Sequence, residues 1–294
     1  MKDLTIIEYI NQEEITKNIE SVLKSGTPQF IASIISLVNL NPELKKTDKK
    51  SLLGACLTAA SLDLPINPSL GFVFIIADKD VTGDMVAQFQ MGYKGFIQLA
   101  MRSGHFKTIN VSDVKEGEIV GLNRLSGEIE FSWLDEKERS KAKTVGYVAY
   151  LRLKNGFEKT LYMTDEELKT HGIKFSKNLR KGIGFWADEF DAMAKKTVLK
   201  LLLSKYAPMT AEMATAQVAD QAVVIGDGDY TYIDNKKETA TQTANKKEKD
   251  RILKFIKDAK LPQDIDIVRP AVTSWNDPEL TLALGEREEE ILAL

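Results

Sequence analysis

The chain has 294 residues, 43% of them hydrophobic and 28% charged, with a formal net charge of -3. That is the composition of a globular chain with one or two domains, not of a collagenous, disordered or membrane-spanning one. The single cysteine, Cys56, excludes an intrachain disulfide and a thiolate metal cluster, and the two histidines lack neighbours at ligand spacing.

The start, MKDLTIIEYINQEE, carries acids where a signal peptide needs an apolar run, so a cytoplasmic location is expected, with no membrane contact. Residues 11–24 read as a polar helix and Gln29–Asn39 as an apolar one, stopped by Pro42. Asp48 suits the N-cap of a third helix, with Leu52, Leu53, Cys56, Ala59 and Ala60 at core spacing. Strand character begins at Gly71, and the turn chemistry of DKDVTGD predicts a hairpin of Phe72–Ala77 with Met85–Met91.

Gln90 to Lys107 contains no acidic residue. Its centre predicts a helix between Gly92 and Ser103, with Phe96, Ile97, Leu99 and Ala100 inward and Lys94, Gln98 and Arg102 sharing one polar face. Two further hairpins are expected. One joins Ile119–Leu122 to Glu128–Trp133, and the other joins Val145–Leu153 to Phe157–Met163 through a type I′ turn at Asn155–Gly156. Thr164 and Glu167 have capping-box spacing for a short helix through Lys169.

A second acid-free stretch runs from Lys169 to Ala187 and holds Lys174, Lys177, Arg180 and Lys181. Glycines 172, 182 and 184 suggest a mobile loop there. It feeds a helix over 187–206, on one face of which lie Met193, Lys196, Thr197 and Lys200, with Trp186 a heptad earlier. The alanine-rich segment after Thr210 is expected to stay helical to about Val224. Residues 226–249 read as a linker and 250–294 as a small acidic helical module. The charge is split accordingly: residues 1–206 carry 29 Lys+Arg against 26 Asp+Glu, and residues 207–294 carry 11 against 17.

The fold class expected is therefore α+β, with helices packed around short antiparallel hairpins over residues 1–225. There is no Gly-Lys dipeptide for a phosphate loop and no dinucleotide fingerprint, so no cofactor is expected. Asp188, Glu189 and Asp191 leave a metal-dependent nuclease as an alternative, but acids in the first turns of a helix also complement its dipole. Tyr93, Phe96, Phe106, Phe185 and Trp186 border the basic stretches, and of these Tyr93 and Trp186 are the better candidates for stacking on bases. No helix-turn-helix or zinc-finger spacing points to sequence readout.

GYKGFIQLAMRSG at 92–104, MAKKT at 193–197 and SLLGACLTAASLDLPINPSLGFVFIIADK at 51–79 resemble the RecT family of phage recombinases over roughly residues 30–210. The resemblance implies a non-catalytic, ATP-independent protein that anneals complementary DNA strands as a ring or helical filament. It also implies cooperation with a 5′→3′ exonuclease and a single-strand-binding protein. The DNA contacts expected are Tyr93, Lys94, Gln98, Arg102, Lys107, Asn178, Arg180, Lys181, Trp186, Met193, Lys196, Thr197 and Lys200. A passive single-strand coat is the remaining alternative.

Overall fold

The Asp48 carboxylate accepts the Ser51 N–H at 2.7 Å and so starts helix α4 (Lys49–Ser61), whose Leu52, Ala55, Cys56 and Ala59 are wholly buried. The computed structural model of the chain describes residues 4–80, 82–224, 230–232, 252–259, 261–275 and 278–292. Before α4 come α1 (Ile6–Ile10), α2 (Glu13–Leu23) and α3 (Thr27–Leu40). Thr5 and Glu8 close a capping box on α1, and Thr27, Phe30, Ile34, Leu37 and Val38 form the buried face of α3. After α4 the chain runs β1 (Val73–Lys79), β2 (Met85–Met91), α5 (Tyr93–Arg102), β3 (Phe106–Lys115), β4 (Ile119–Asn123), β5 (Glu128–Phe131) and α6 (Glu136–Arg139). It continues through β6 (Thr144–Leu153), β7 (Glu158–Thr164), α7 (Asp165–Phe175), α8 (Lys177–Arg180), α9 (Phe185–Asp188) and α10 (Phe190–Tyr206), then α11 (Ala211–Ala219), β8 (Ala222–Val224) and β9 (Tyr230–Tyr232).

Among the described residues the strands form three antiparallel sheets, ordered β1-β2-β8-β9, β3-β6-β7 and β4-β5. One core joins α1 to α11 with the inner faces of the first two sheets. This is the α+β arrangement of helices around hairpins that the sequence predicts, and all three hairpins form. In β6, Tyr147, Ala149, Leu151 and Leu153 are buried on the shared face. The turn after β6 differs from expectation. Gly156 has φ +92° but Asn155 keeps a negative φ, and Gly156 N–H donates to Leu153 O at 3.1 Å. The connection is thus a type I turn closed by a left-handed glycine, the three-residue alternative to type I′.

Three segments depart from their predicted form. Helix α7 does not stop near Lys169 but runs on to Phe175, with Gly172 inside it. A methyl at Gly172 would overlap Leu179 and press on the Trp186 ring, so this glycine serves close packing, not loop freedom. The basic stretch therefore holds α8 and α9 instead of one loop, and Glu189 separates α9 from α10. Last, the helix after Thr210 ends at Ala219. Gln221 takes φ +69°, and the chain turns into β8, which pairs with β2 at Phe89↔Ala222.

The chain divides into two compact units, residues 1–235 and 236–294. Strand β9 lies inside the stretch expected as linker and pairs with β8; the rest of that stretch lies outside the described residues. In the second unit, α12 (252–258), α13 (Pro262–Trp275) and α14 (Pro278–Leu292) enclose Ile252, Ile256, Ile265, Val268, Val272, Leu280 and Leu284. Arg287 of α14 donates to Ala259 O through Nε and Nη2, at 3.0 and 2.8 Å. Because each unit has its own apolar cluster, removal of residues 236–294 is expected to shift the melting temperature of the first unit by only a few degrees. A cut at Gly226 removes β9 as well, bares the edge of β8 and is expected to destabilise more. Circular dichroism melts of the two truncations test this, and loss of a cooperative transition in the 1–235 chain contradicts it.

Candidate nucleic-acid interface

The site is organised by one face of the β1–β2 hairpin. The register places Phe74 opposite Gln90 and Ile76 opposite Gln88, and alternation adds Asp78 to the same face. Gln88 and Gln90 are polar yet buried, because the chain from α8 to β8 covers them. The Gln90 amide donates to Met193 Sδ of α10 at 3.3 Å, and the Gln88 amide donates to Gln221 O at 2.6 Å. Phe74 meets Phe185 of α9 with ring centroids 5.5 Å apart, and Asn178 of α8 donates to Asp78 Oδ2 at 2.9 Å.

The first basic helix reaches this place from the end of β2. Gly92 is the N-cap of α5, and its N–H donates to Phe72 O at 2.9 Å. A side chain at Gly92 or Gly95 would overlap the carbonyl oxygens of Gly71 and Phe72, and one at Gly92 would also lie 3.2 Å from the Phe74 ring. The start of α5 and the α8–α9 segment therefore both meet Phe74, although they are about eighty residues apart in the chain. Phe96, Leu99 and Ala100 anchor α5 in the core, while Lys94 and Gln98 are exposed. Lys107, Arg180 and Lys181 are exposed too, and among the described residues no ion pair engages Lys94, Lys107, Arg180 or Lys181.

Other expected contacts are already committed within the fold. Arg102 donates to Leu62 O at 2.5 Å, Asp63 O at 3.1 Å and Asp63 Oδ2 at 3.0 Å, and lies 3.8 Å from Glu212. It thus caps the C-terminal end of α4 more than it offers a free charge. Asn178 is held by Asp78, and Tyr93 is half-buried against the core. The expectation of an open polar face along α10 needs correction: Trp186, Met193, Lys196 and Thr197 are buried, and only Lys200 remains partly exposed.

The counter-charge that accompanies Lys196 into the interior is Asp220, which the sequence reading missed. Its carboxylate lies where the β2–β8 ladder ends, and its Oδ1 accepts the Met91 N–H at 3.0 Å. Lys196 Nζ is 2.7 Å from Oδ1 and Lys200 Nζ is 2.7 Å from Oδ2. The Lys196 ammonium has no well-aligned hydrogen-bond acceptor among the described residues, so its attraction to Asp220 is that of an ion pair. These groups line a cavity of about 300 Å³ with His171, Trp186, Thr197, Gln217 and Tyr232. Burial holds Lys196 down to about 8, against the opposing pull of Asp220. Burial pushes Asp220 up, but the two ammonium groups outweigh it and hold the carboxyl below its usual range. Burial and then Lys200 and Lys174 keep His171 below the ordinary imidazole value.

A lysine depressed in the folded state penalises folding while it is charged. Between about pH 8 and its unfolded value, the unfolded chain binds a proton that the folded chain has released. This group therefore makes stability rise with pH across that interval. Urea unfolding at pH 7.5 and 9.5 is expected to show the rise in the wild-type chain relative to Lys196→Met, and equal pH dependence in both contradicts it.

Of the three acids considered for a metal, Asp188 ends α9, Glu189 is the joint and Asp191 lies in α10, paired with Lys195 at 2.7 Å. Among the described residues no three His, Cys, Asp or Glu side chains come together as a metal site. No helix among the described residues is long and apolar enough to cross a membrane.

The RecT family model matches residues 28–255, which takes in the β1–β2 hairpin, both basic segments and Asp220. The chain belongs to the RecT family. It is 41% identical over 216 residues to an uncharacterized protein, YqaK, of Bacillus subtilis (strain 168), covering 74% of this chain and 72% of that one. It is 27% identical over 263 residues to the protein RecT of Escherichia coli (strain K12), covering 81% and 91%. Membership of the RecT family implies DNA binding and single-strand annealing in recombination.

Proposed function

We propose that this RecT-family chain anneals DNA by holding a single strand through its phosphates, on a homo-oligomeric ring or filament, with its bases free to pair. The observation that carries this reading is the meeting of two acid-free basic segments on one face of the β1–β2 hairpin. Lys94, Gln98, Lys107, Arg180, Lys181 and Lys200 are the groups proposed to touch the strand. Cations and a neutral amide grip phosphate oxygens without reading base edges, as a protein must if it accepts any sequence. Each subunit need hold only a few nucleotides, since weak grips repeated along an oligomer multiply through effective concentration. The reaction requires no bond cleavage in the protein's hands and hence neither a nucleotide triphosphate nor a catalytic residue. A 5′→3′ exonuclease that exposes single strands is the proposed supplier of substrate, with the acidic second unit as the docking element for it or for a single-strand-binding protein.

Fluorescence-monitored annealing of two complementary oligonucleotides tests the reading. The rate is expected to exceed the spontaneous one without nucleotide triphosphate. Single-strand affinity is expected to fall linearly with log salt, as for any phosphate grip. Binding without acceleration would identify a passive coat. Affinity flat between low and physiological salt would falsify the phosphate grip.

A further inference from the structure

The charges around the 300 Å³ cavity are unequal in reach. Only 4% of the Lys196 side chain and 1% of the Asp220 side chain meet solvent, against 29% for Lys200. The carboxylate has three partners on two elements: the Lys196 ammonium of α10 as an ion partner, the Lys200 ammonium of α10 as ion partner and hydrogen-bond donor, and the Met91 N–H of β2. Lys196 is thus almost out of reach of a phosphate and already has an anion beside it. Lys200, by contrast, holds Asp220 through one oxygen, lines the cavity and keeps part of its side chain exposed.

We propose that Lys196 and Asp220 are positioning residues, a buried pair of opposite charges that fixes the Lys200 ammonium and leaves it one net positive charge to present to a DNA phosphate. With Lys200 as its sole partner, Asp220 would cancel that charge at 2.7 Å, and the pair would act on a distant phosphate only as a dipole. Lys196, on the other carboxylate oxygen, restores the balance to plus one without itself touching DNA. This inference rests on the reading that the α10 side of the site meets DNA phosphates.

The test compares the full-length wild type with Lys196→Met, Lys200→Ala and the double variant Lys196→Met/Asp220→Asn. Affinity for a fluorescent oligothymidylate is measured across a salt series, with a melting curve for each. Lys200→Ala and Lys196→Met are each expected to lower affinity about tenfold and the salt slope by about one. The double variant is expected to return to within about twofold of wild type, because Lys200 again carries an uncancelled charge. A buried ion pair exchanged for neutral groups of similar size commonly leaves stability intact, so this variant is expected to melt near wild type.

A double variant as weak as Lys196→Met overturns the inference and makes Lys196 itself a contact. A Lys200→Ala chain that binds like wild type instead removes this face from the DNA site, which is a failure of the underlying reading.

Should Lys196→Met lack a melting transition, the same quantity is read by pH. The groups facing Lys196 are Asp220, Lys200, His171 of α7 with Lys174 beyond it, and Tyr232 of β9. Burial holds His171 below its ordinary value and pushes the Tyr232 phenol up, so neither gains or loses charge near pH 8. Between pH 7 and 9 the wild-type salt slope is expected to fall by about one as Lys196 loses its proton, while that of the double variant stays constant. Parallel behaviour of the two chains overturns the proposal.

Discussion

Alanine at Lys94, Lys107, Arg180 and Lys181 together is expected to abolish annealing while leaving the melting curve unchanged. All four are exposed, and no ion pair among the described residues depends on them, so the fold loses nothing by their truncation. Each lost phosphate contact lowers the salt slope by about one, and four together are expected to cost on the order of a thousandfold in single-strand affinity. In an oligomer every subunit carries the change, which multiplies the loss along the strand. Lys45→Ala and Lys137→Ala, exposed and outside both basic segments, serve as controls and are expected to anneal normally. Annealing by the quadruple variant at the wild-type rate would place the grip elsewhere on the molecule.

The largest effect on stability is expected from a single methyl group. Gly95→Ala lies inside α5, where alanine is ordinarily favoured over glycine by about 1 kcal/mol. Here the added carbon would overlap the Phe72 carbonyl oxygen and press on the Met91 side chain. Backbone cannot swing aside as a flexible side chain can, so overpacking wins, at a net cost of about 3 kcal/mol. Gly26→Ala is the contrast, since nothing lies within 4 Å of its added carbon and its φ is negative. It is expected to be neutral or to stabilise by about 0.5 kcal/mol through the unfolded chain. Urea titrations of the two variants settle the matter, and a stabilised Gly95→Ala chain means that α5 is not seated on the Gly71–Phe72 backbone. Because α5 carries Lys94 to the site, the destabilised variant is also expected to anneal poorly.

What could be read in the sequence was what is locally encoded. The Asp48 cap and the Thr164–Glu167 capping box act within a few residues, and each forms as expected. Strand β3 escaped notice because its buried residues, Phe106, Val111 and Val114, do not alternate, and bulges interrupt its pairing near both ends. Strands β8 and β9, of three residues each, are defined by their pairing with β2 and with each other, not by their own composition.

The same distinction runs through the site. The basic, acid-free segments were visible as composition, and so was their approximate extent. The burial of Lys196 was not, because its counter-charge comes from another element, 24 residues on in an alanine-rich stretch. Arg102 and Asn178 looked free for the same reason: Asp63 and Asp78 reach them only through the tertiary fold.

The bond from Met91 N–H to Asp220 spans 129 residues, and it bears on the order of events during synthesis. A ribosome that has made everything through α10 has already joined both basic segments into the chain, but not the carboxylate that pairs with Lys196 and Lys200. Until β8 emerges and docks on β2, the Lys196 ammonium has no counter-charge to accompany it into the interior, and the α10 side of the hairpin face stays unfinished. Nascent chains that end before Asp220 therefore leave Lys196 without its buried counter-charge, and the α10 side of the hairpin face is completed late, with the closing strands of the first sheet.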